Sequence, residues 1–250
     1  MGLIPRIVTA QLRERFIFNF RLRPDALAAR LPVPWLKAQE FNGWSVVSFC
    51  ILKLDRVIIW PFPGLFGMSM TSCAYRCGIV DASGGKAEPS VYITDRNTDL
   101  PLVARLAPWL FADTIPMIKP RVIDGPDAFS VKINYLDGQR LFYAEAKTAP
   151  EGVFKSKVFP TLADYGTFIH NGVSSYTPSI YGDALAKVDL IKEDPAYVPL
   201  DASVDFSWLD GAWSEAGMEF DSAVRATGGI YKWTYRGLRS AITDDPAPGA

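Results

Sequence analysis

A strict alternation of apolar and polar residues runs through the sequence between Leu12 and Leu22. Four side chains fall on one face, Phe16, Phe18, Phe20 and Leu22, and five on the other, Arg13, Arg15, Ile17, Asn19 and Arg21. A period of two residues is typical of a β-strand, because successive side chains point to opposite faces of a sheet. We therefore expect a long strand near the start of the chain, with one face in a hydrophobic core.

Several later segments also predict strands. Residues 43–54 are β-rich and almost continuously apolar, as is typical of a central strand that is covered on both faces. Further strands are predicted at 70–80, 90–95, 129–135, 173–180, 184–191 and 230–236, and helices at 26–31, 100–111 and 213–224. Asp137-Gly138 supplies the turn of a hairpin that returns at Leu141. This order, without repeats or a linker, predicts a mainly β (α+β) domain over 1–243 and a frayed tail at 244–250.

Composition excludes several classes of function. The 250 residues carry 26 Lys+Arg against 27 Asp+Glu, so the chain lacks the basic surface on which nucleic-acid binding depends. Three cysteines and one histidine match neither a disulfide framework nor the usual zinc spacings. Nucleotide-binding motifs and the serine-hydrolase elbow are missing from the sequence. We therefore expect no nucleic-acid partner, no metal and no cofactor. Without a signal peptide or a run of about 18 apolar residues, we expect a cytoplasmic protein with no stable membrane insertion.

Several short motifs follow one another in the first 150 residues. They are, in order, Arg13-Glu14-Arg15-Phe16, Phe20-Arg21, Asp25-Ala26-Leu27, Leu31-Pro32, Phe49-Cys50-Ile51, Val103-Ala104-Arg105 and Leu136-Asp137-Gly138. In this order they resemble the acetoacetate decarboxylase family. Tyr75-Arg76, Tyr92-Ile93 and Arg96-Asn97-Thr98 are also similar to a related group, domain of unknown function 2071. The resemblance implies a closed antiparallel β-barrel with a few flanking helices, an interior pocket for a small molecule and a homo-oligomer.

The same resemblance implies a catalytic set that this chain keeps only in part. In acetoacetate decarboxylase one lysine forms a Schiff base with a β-keto acid, and an adjacent lysine lowers its pKa. The corresponding positions are Ala112 and Asp113, so both amines are missing. One acidic residue of the family's pocket corresponds to Cys50, the other falls near residues 71–72, and the family's arginine corresponds to Arg13. The resemblance thus implies a carboxylate-binding pocket without the Schiff-base lysines.

Arg13 is the first candidate for contact with a substrate. A guanidinium group inside a partly dry barrel would bind a carboxylate through two parallel hydrogen bonds. A solvated polar face explains the alternation around Arg13 equally well. Arg21, Cys50, Tyr75 and Arg76 are predicted as further substrate-binding residues.

Three side chains are candidates for nucleophilic or proton-transfer chemistry. Apolar neighbours would lower the pKa of Lys119 and make its amine nucleophilic, although a long stem lying across an apolar surface is the more common arrangement. Glu145 shares a strand face with Leu141 and Tyr143, so it is either an inward acid or base or an edge carboxylate. His170 ordinarily titrates near neutral pH, and it is either a proton shuttle or a histidine held by hydrogen bonds.

Residues 57–70 form an uncharged segment that includes Trp60 and Phe66. Its prolines and glycines predict a loop, and a long apolar loop normally needs a covering partner. We expect it either to line or close the pocket, where Trp60 and Phe66 would contact the substrate, or to form a subunit contact. Contact with a membrane is less favoured, because few basic residues are near.

Two functions fit the sequence. The first is a lyase-type enzyme that decarboxylates, dehydrates or cleaves a small carbonyl or carboxylate compound. Arg13 would hold the acid, and Lys119, Glu145 or His170 would move protons. The second is a non-catalytic barrel that binds a small apolar ligand or a protein partner. The missing lysine pair favours the second function, whereas the arginine favours the first.

Overall fold

The computed structural model describes residues 6–61, 67–84, 86–124, 128–150, 153–193 and 196–240. The chain is mainly β-sheet with a few short helices. In chain order its elements are β1 (Ile7–Leu22), α1 (Pro24–Ala28), β2 (Leu36–Ala38), β3 (Ser45–Trp60), β4 (Met68–Asp81), β5 (Glu88–Thr98), α2 (Pro101–Phe111), β6 (Ile118–Asp124), β7 (Ala128–Tyr135), β8 (Arg140–Thr148), α3 (Leu162–Asn171), β9 (Ser174–Ser179), β10 (Gly182–Lys192), β11 (Tyr197–Ser207), α4 (Trp208–Ala212), a 3₁₀ turn (Ser214–Ala216), β12 (Glu219–Thr227) and β13 (Ile230–Ser240).

The predicted first strand is confirmed and is longer than the alternation suggested. β1 pairs with β3 along nearly its whole length, and the register shifts between Leu12 and Glu14, so that Arg13 lies at a β-bulge. C-terminal to the bulge, the phenylalanine face packs into one hydrophobic cluster, whereas Ile17 on the opposite face packs into another. β1 is therefore buried on both faces, and the bulge decides how each side chain after it is directed.

Seven strands form a circuit of pairings that returns to β1. The order is β1, β3, β4, β5, β9, β10 and β13, and β13 pairs again with β1. All of these pairs are antiparallel except β5 with β9, which is parallel. The circuit is thus mainly antiparallel, as expected, with this one parallel pair. The chain between β5 and β9 contains α2, α3 and three strands, and a connection of that length permits a parallel return.

Five further strands continue from the far edge of β1 in the order β12, β11, β8, β7 and β6, and the short β2 pairs with β4. The predicted hairpin of β7 and β8 is confirmed, with Gly138 at a φ of 91° in its turn. This half of the sheet packs against the phenylalanine face of β1. The ring centroids of Phe16 and Phe129 are 4.8 Å apart, and those of Phe18 and Phe142 are 4.9 Å apart. The main core therefore lies on the side of β1 that faces β7 and β8.

The helix predicted over 213–224 is wrong. The structure has a 3₁₀ turn there, followed by β12, which pairs with both β1 and β11. Pairing on both sides satisfies the backbone of β12, and this tertiary context overrides local helix propensity. The 244–250 tail lies outside the described residues. None of the described helices is both long and apolar enough to cross a membrane.

Candidate functional site

An apolar cavity of about 90 Å³ lies within the circuit of strands. Every strand of the circuit or the turn beside it contributes a side chain, and α2 contributes Val103 and Phe111. A second cavity of about 30 Å³ is lined by some of the same residues, namely Cys50, Arg76 and Gly172. Most of the residues on β3 and β4 that line the larger cavity alternate along each strand. They are Cys50, Leu52 and Leu54 on β3, and Met70, Ser72, Ala74 and Arg76 on β4, where Cys73 lines the cavity as well.

Arg15 of β1 lines the smaller cavity and is only 1% exposed. Its Nε donates to the Sγ of Cys50 at 3.2 Å, and its Nη1 donates to the hydroxyl of Tyr231 at 3.3 Å. Its Nη2 is buried and has no hydrogen-bond partner in the described part of the chain. Burial disfavours the charged guanidinium, but the nearby thiol and hydroxyl groups hold the pKa of Arg15 well above its usual value. The site therefore contains a buried cation with one unused donor.

Cys50 of β3 lies between two arginines. Burial by itself raises the pKa of this thiol, but Arg15 and Arg76, through their charges and hydrogen bonds, lower it below the ordinary value. Cys73 and Cys77, on the neighbouring strand, are also buried, and burial raises the pKa of both thiols. Cys50 is thus the thiol that its surroundings favour in the ionised form.

Arg76 and Arg96 both line the larger cavity, from β4 and β5. Burial lowers the pKa of Arg96, Asp113 opposes this effect, and the like charge of Arg76 adds to it. The guanidinium carbon of Arg96 lies 5.5 Å from the ring centroid of Phe111. Burial also raises the pKa of Asp113, while Arg96 acts against that rise. Two cations that repel each other across a cavity are both stabilised by an anion bound between them.

The charge and the apolar lining of this arrangement would suit a small anion with an apolar portion. A protein cavity of about 150 Å³ is known to hold benzene, so cavities of about 90 and 30 Å³ suit only a molecule of about that size or smaller. Three guanidinium groups provide the charge and the paired donors that recognise a carboxylate. A surface groove of about 680 Å³ is larger, but its Lys147 and Asp201 pair with each other at 3.4 Å. The arginine-lined cavity is therefore the better candidate site, because among its described lining residues the cations are not paired with carboxylates across the space.

The structure brings only two of the predicted substrate-binding residues to this cavity, Cys50 and Arg76. Arg13 is turned away: its side chain is 58% exposed and its Nε lies 3.8 Å from Asp55. The prediction that Arg13 points inward is therefore wrong. Arg13 lies at the β-bulge, and Arg15 is the arginine of β1 that lines the smaller cavity.

Arg21 and Tyr75 are buried elsewhere. Arg21 pairs with the carboxylates of Glu219 and Asp221, and Tyr75 lies in the main core, where its hydroxyl donates to the carbonyl of Leu141. Both side chains contribute to packing and pairing outside the cavity lining.

The three residues predicted to move protons are also away from the cavity. Lys119 is exposed on β6, where its Nζ lies 3.4 Å from the carbonyl oxygen of Leu136. Glu145 is exposed on β8, so the alternative in which it points inward as an acid or base is wrong. Its strand neighbours Ala144 and Ala146 take the buried positions instead, as the two-residue period requires. His170 is exposed near the end of α3 and lines a shallow surface groove.

The described residues of the predicted loop at 57–70 lie mostly in strands. Residues 57–60 complete β3, with Val57 and Ile59 buried, and residues 68–70 begin β4. Trp60 is 47% exposed and does not line the cavity. Phe66 lies outside the described residues.

Other positions assigned by the resemblance do reach the cavity. Cys50 and Ser72 line it, and Phe111 and Ile115, on either side of the 112–113 pair, line it as well. Lysines at positions 112–113 would thus stand beside the cavity, and none of its described lining residues is a lysine.

Comparisons with solved structures agree with this geometry. An acetoacetate decarboxylase-like enzyme from Sphingomonas wittichii RW1 matches with a TM-score of 0.61 at 12% identity, covering 96% of this chain and 94% of that chain. Acetoacetate decarboxylase from Legionella pneumophila matches with a TM-score of 0.60 at 15% identity, over 93% of this chain and 86% of that chain. The chain has the acetoacetate decarboxylase-like fold. The enduracididine biosynthesis enzyme MppR, complexed with pyruvate, matches at a TM-score of 0.58 and 13% identity, over 97% of this chain and 93% of that chain.

Sequence comparisons add no closer relative to this acetoacetate decarboxylase-like fold. No family model matches the chain, and no curated protein matches it. The link to domain of unknown function 2071 is thus not shown. In the described part of the chain, no group of three His, Cys, Asp or Glu side chains is placed to hold a metal ion.

Two of the cavity arginines were not predicted. The alternation places Arg13 and Arg15 on the same face of β1. Only the position of the β-bulge shows which of the two lines a cavity, and the sequence pattern does not reveal that bulge. Arg96 stands in the Arg96-Asn97-Thr98 motif, but the register shift in β5 opposite Tyr75 and Arg76 directs it into the cavity.

Proposed function

We propose that this protein is a lyase-type enzyme that takes a small carbonyl or carboxylate compound into the arginine-lined cavity. The observation that carries the proposal is a set of three guanidinium groups at two small cavities that share Cys50 and Arg76. Arg76 and Arg96 line the larger cavity, and Arg15 and Arg76 line the smaller one. We further infer that the circuit of seven strands forms a closed barrel around the larger cavity. An anionic ligand would supply the charge that the three cations lack.

The same groups fit the chemistry of a lyase. Loss of CO₂ from a β-keto acid, or removal of a proton next to a carbonyl, places negative charge on the carbonyl oxygen as an enolate. Guanidinium donors that are already in place stabilise such a charge without reorganisation. In a decarboxylation, the electron pair of the broken carbon–carbon bond moves into the enolate, and a proton then adds to its carbon. Arginines therefore replace part of what a Schiff base does in the lysine-dependent reaction.

The size of the cavity limits the substrate to an acid of a few carbon atoms. Pyruvate, which is bound in one of the structural neighbours, is of this class. Acetoacetate adds one carbon and keeps the same two functional groups. Both compounds serve as probes.

The experiment is a titration of the protein with pyruvate and with acetoacetate, followed by NMR, with acetone and CO₂ measured as products. Arg76→Gln should weaken binding by roughly tenfold or more, since it removes a charge-assisted contact. Lys119→Gln is the matched control, because it removes an exposed cation outside the cavity, and it should leave binding unchanged. If neither acid binds, or if both variants behave alike, the proposal fails.

Borohydride provides a second test. Since no described residue that lines the cavity is a lysine, reduction in the presence of acetoacetate should leave no stable adduct. An adduct mapped to Lys119 would show that a lysine-dependent mechanism operates and would overturn this part of the proposal.

The alternative function is a barrel that binds a small ligand or a partner without chemistry, and the missing lysine pair favours it. Binding of an acid without any product would support this alternative. A homo-oligomer is also proposed, with the half-exposed Trp60 near a subunit contact. Sedimentation of Trp60→Asp would test it, since loss of an oligomer is the expected result.

A further inference from the structure

We propose that Cys50 is the nucleophile of the cavity and adds to the carbonyl carbon of a 2-oxo acid whose carboxylate the arginines hold. This inference rests on the proposed carboxylate site and gives it a substrate class. It also assigns a reactive group to a site that has no lysine.

The first observation is the position of the thiol. Cys50 lines both cavities. The Nε of Arg15 donates to its sulfur at 3.2 Å, and Arg76, which lines both cavities from the other neighbouring strand, lowers the pKa of the same thiol. Two guanidinium groups beside one sulfur stabilise a thiolate, which is the nucleophilic form of cysteine.

The second observation is independent of the thiol. The Nη2 of Arg15 is buried, lacks a hydrogen-bond partner among the described residues, and belongs to a side chain that lines the cavity. A buried donor without a partner is costly unless a ligand satisfies it. A carboxylate fits this donor in charge and in geometry. An acid bound to Arg15 would therefore lie beside the sulfur that Arg15 also holds.

The step balances without an oxidant or a cofactor. The sulfur forms a bond to the carbonyl carbon, and the electron pair of the carbon–oxygen π bond moves to oxygen. That oxygen takes the proton that the thiol has given up, so the product is a thiohemiketal. The guanidinium groups of Arg76 and Arg96 line the same space and supply donors to the oxygen while it is charged.

The chain contains its own controls. Cys73 lines the larger cavity and Cys77 lines the smaller one, and both are buried on β4 beside Cys50. Among the described residues, no arginine donates a hydrogen bond to the sulfur of Cys73 or Cys77. Burial raises the pKa of both thiols. Both thiols pack into the main core and alternate along β4 with the cavity residues Ser72, Ala74 and Arg76. They are as buried as Cys50 but differ from it in the face they occupy and in electrostatic surroundings.

The experiment compares iodoacetate with iodoacetamide on the native protein, with each cysteine mapped by mass spectrometry. In either reaction the sulfur forms a bond to the methylene carbon and iodide leaves. The anionic reagent should modify Cys50 faster than the neutral one by roughly tenfold, because arginine binds its carboxylate. Cys73 and Cys77 should react at least about tenfold more slowly with both reagents, since they remain thiols. Pyruvate should protect Cys50.

The dependence on pH is a further readout. The titratable groups near Cys50 and Arg15 are Arg76 and Cys73 from β4, Tyr165 from α3, Tyr197 from β11 and Tyr231 from β13. Because the arginines lower the pKa of Cys50, its modification should persist at a pH where cysteines of the urea-unfolded chain no longer react. Equal pH profiles for the native and the unfolded thiol would contradict the proposal.

The outcomes separate this inference from the proposed function. If pyruvate binds by NMR but Cys50 is not modified, or prefers iodoacetamide, the nucleophile is overturned while the carboxylate site stands. If Cys50 prefers iodoacetate and pyruvate neither binds nor protects it, the assignment of a 2-oxo acid is overturned. Mapping on the unaltered protein makes the test independent of whether Cys50→Ser folds.

Discussion

Arg15 and Arg21 lie on the same face of β1, and both are buried, yet their surroundings differ. Arg21 pairs with Glu219, lies 3.6 Å from Asp221, and places its guanidinium carbon 5.3 Å from the ring centroid of Trp44. None of the ion pairs found among the described residues involves Arg15, whose partners are a thiol and a hydroxyl. Each arginine has one nitrogen without a hydrogen-bond partner in that part of the chain, so the difference is one of charge.

One strand thus carries a structural arginine, Arg21, and an arginine suited to ligand binding, Arg15. At the C-terminal end of β1, Arg21 joins the strand to β12 through carboxylates, and the positive charge is compensated within the protein. Near the middle of β1, the charge of Arg15 is compensated only by groups that are neutral in their usual form. A buried cation without a carboxylate is a costly feature of a stable protein, but it is a suitable site for an anionic ligand. The same substitution at different positions of β1 tests this distinction.

Arg21→Met should have the largest effect on stability. It leaves Asp221, whose side chain is 1% exposed, without its cationic partner. Removal of one member of a buried ion pair costs about 3–5 kcal/mol, and we expect the free energy of unfolding in urea to fall by that amount. The folded fraction should still bind pyruvate with unchanged affinity. A loss below about 1 kcal/mol would show that Arg21 is not the structural arginine of the pair.

Arg15→Met should have the opposite balance of effects. Replacement of a buried charge that lacks a carboxylate by an apolar side chain of similar length should change the free energy of unfolding by less than about 1.5 kcal/mol. Affinity for pyruvate should fall by roughly tenfold to a hundredfold, as expected for one charge-assisted contact. Isothermal titration and urea unfolding of the same sample give both quantities. Unaltered affinity together with a large loss of stability would reverse the comparison.

Arg13→Met should have the smallest effect. Its guanidinium is mostly in solvent, and its ion pair with Asp55 is long and exposed. Exposed pairs of this kind contribute about 0–1 kcal/mol, so neither stability nor pyruvate affinity should change beyond about 0.5 kcal/mol. A tenfold loss of affinity in this variant would mean that the bulge is placed incorrectly and that Arg13, not Arg15, enters the cavity.

Elements fixed by local sequence patterns were predictable, whereas elements fixed by pairing with distant strands were not. The alternation in β1 and the Asp137-Gly138 hairpin are local signals, and both correctly predicted strands. The helix predicted over 213–224 was wrong because pairing with strands distant in the chain decides that segment. Candidate residues chosen for their chemistry alone, such as Lys119 and Glu145, were exposed, because reactivity of a side chain does not determine its direction.

The alternation of residues was enough to predict strands and to place an arginine-bearing face of β1 opposite a phenylalanine face. The sequence also showed that positions 112–113 lack lysine, because identity at a position is read directly. Long-range pairing brings Arg15 and Arg76 to Cys50, and it brings Arg96 to the larger cavity that Cys50 also lines. Those four residues come from β1, β3, β4 and β5, and two of the three arginines are directed by register shifts at β-bulges. A bulge inserts one residue and reverses the face of every side chain after it, and long-range pairing sets where it occurs.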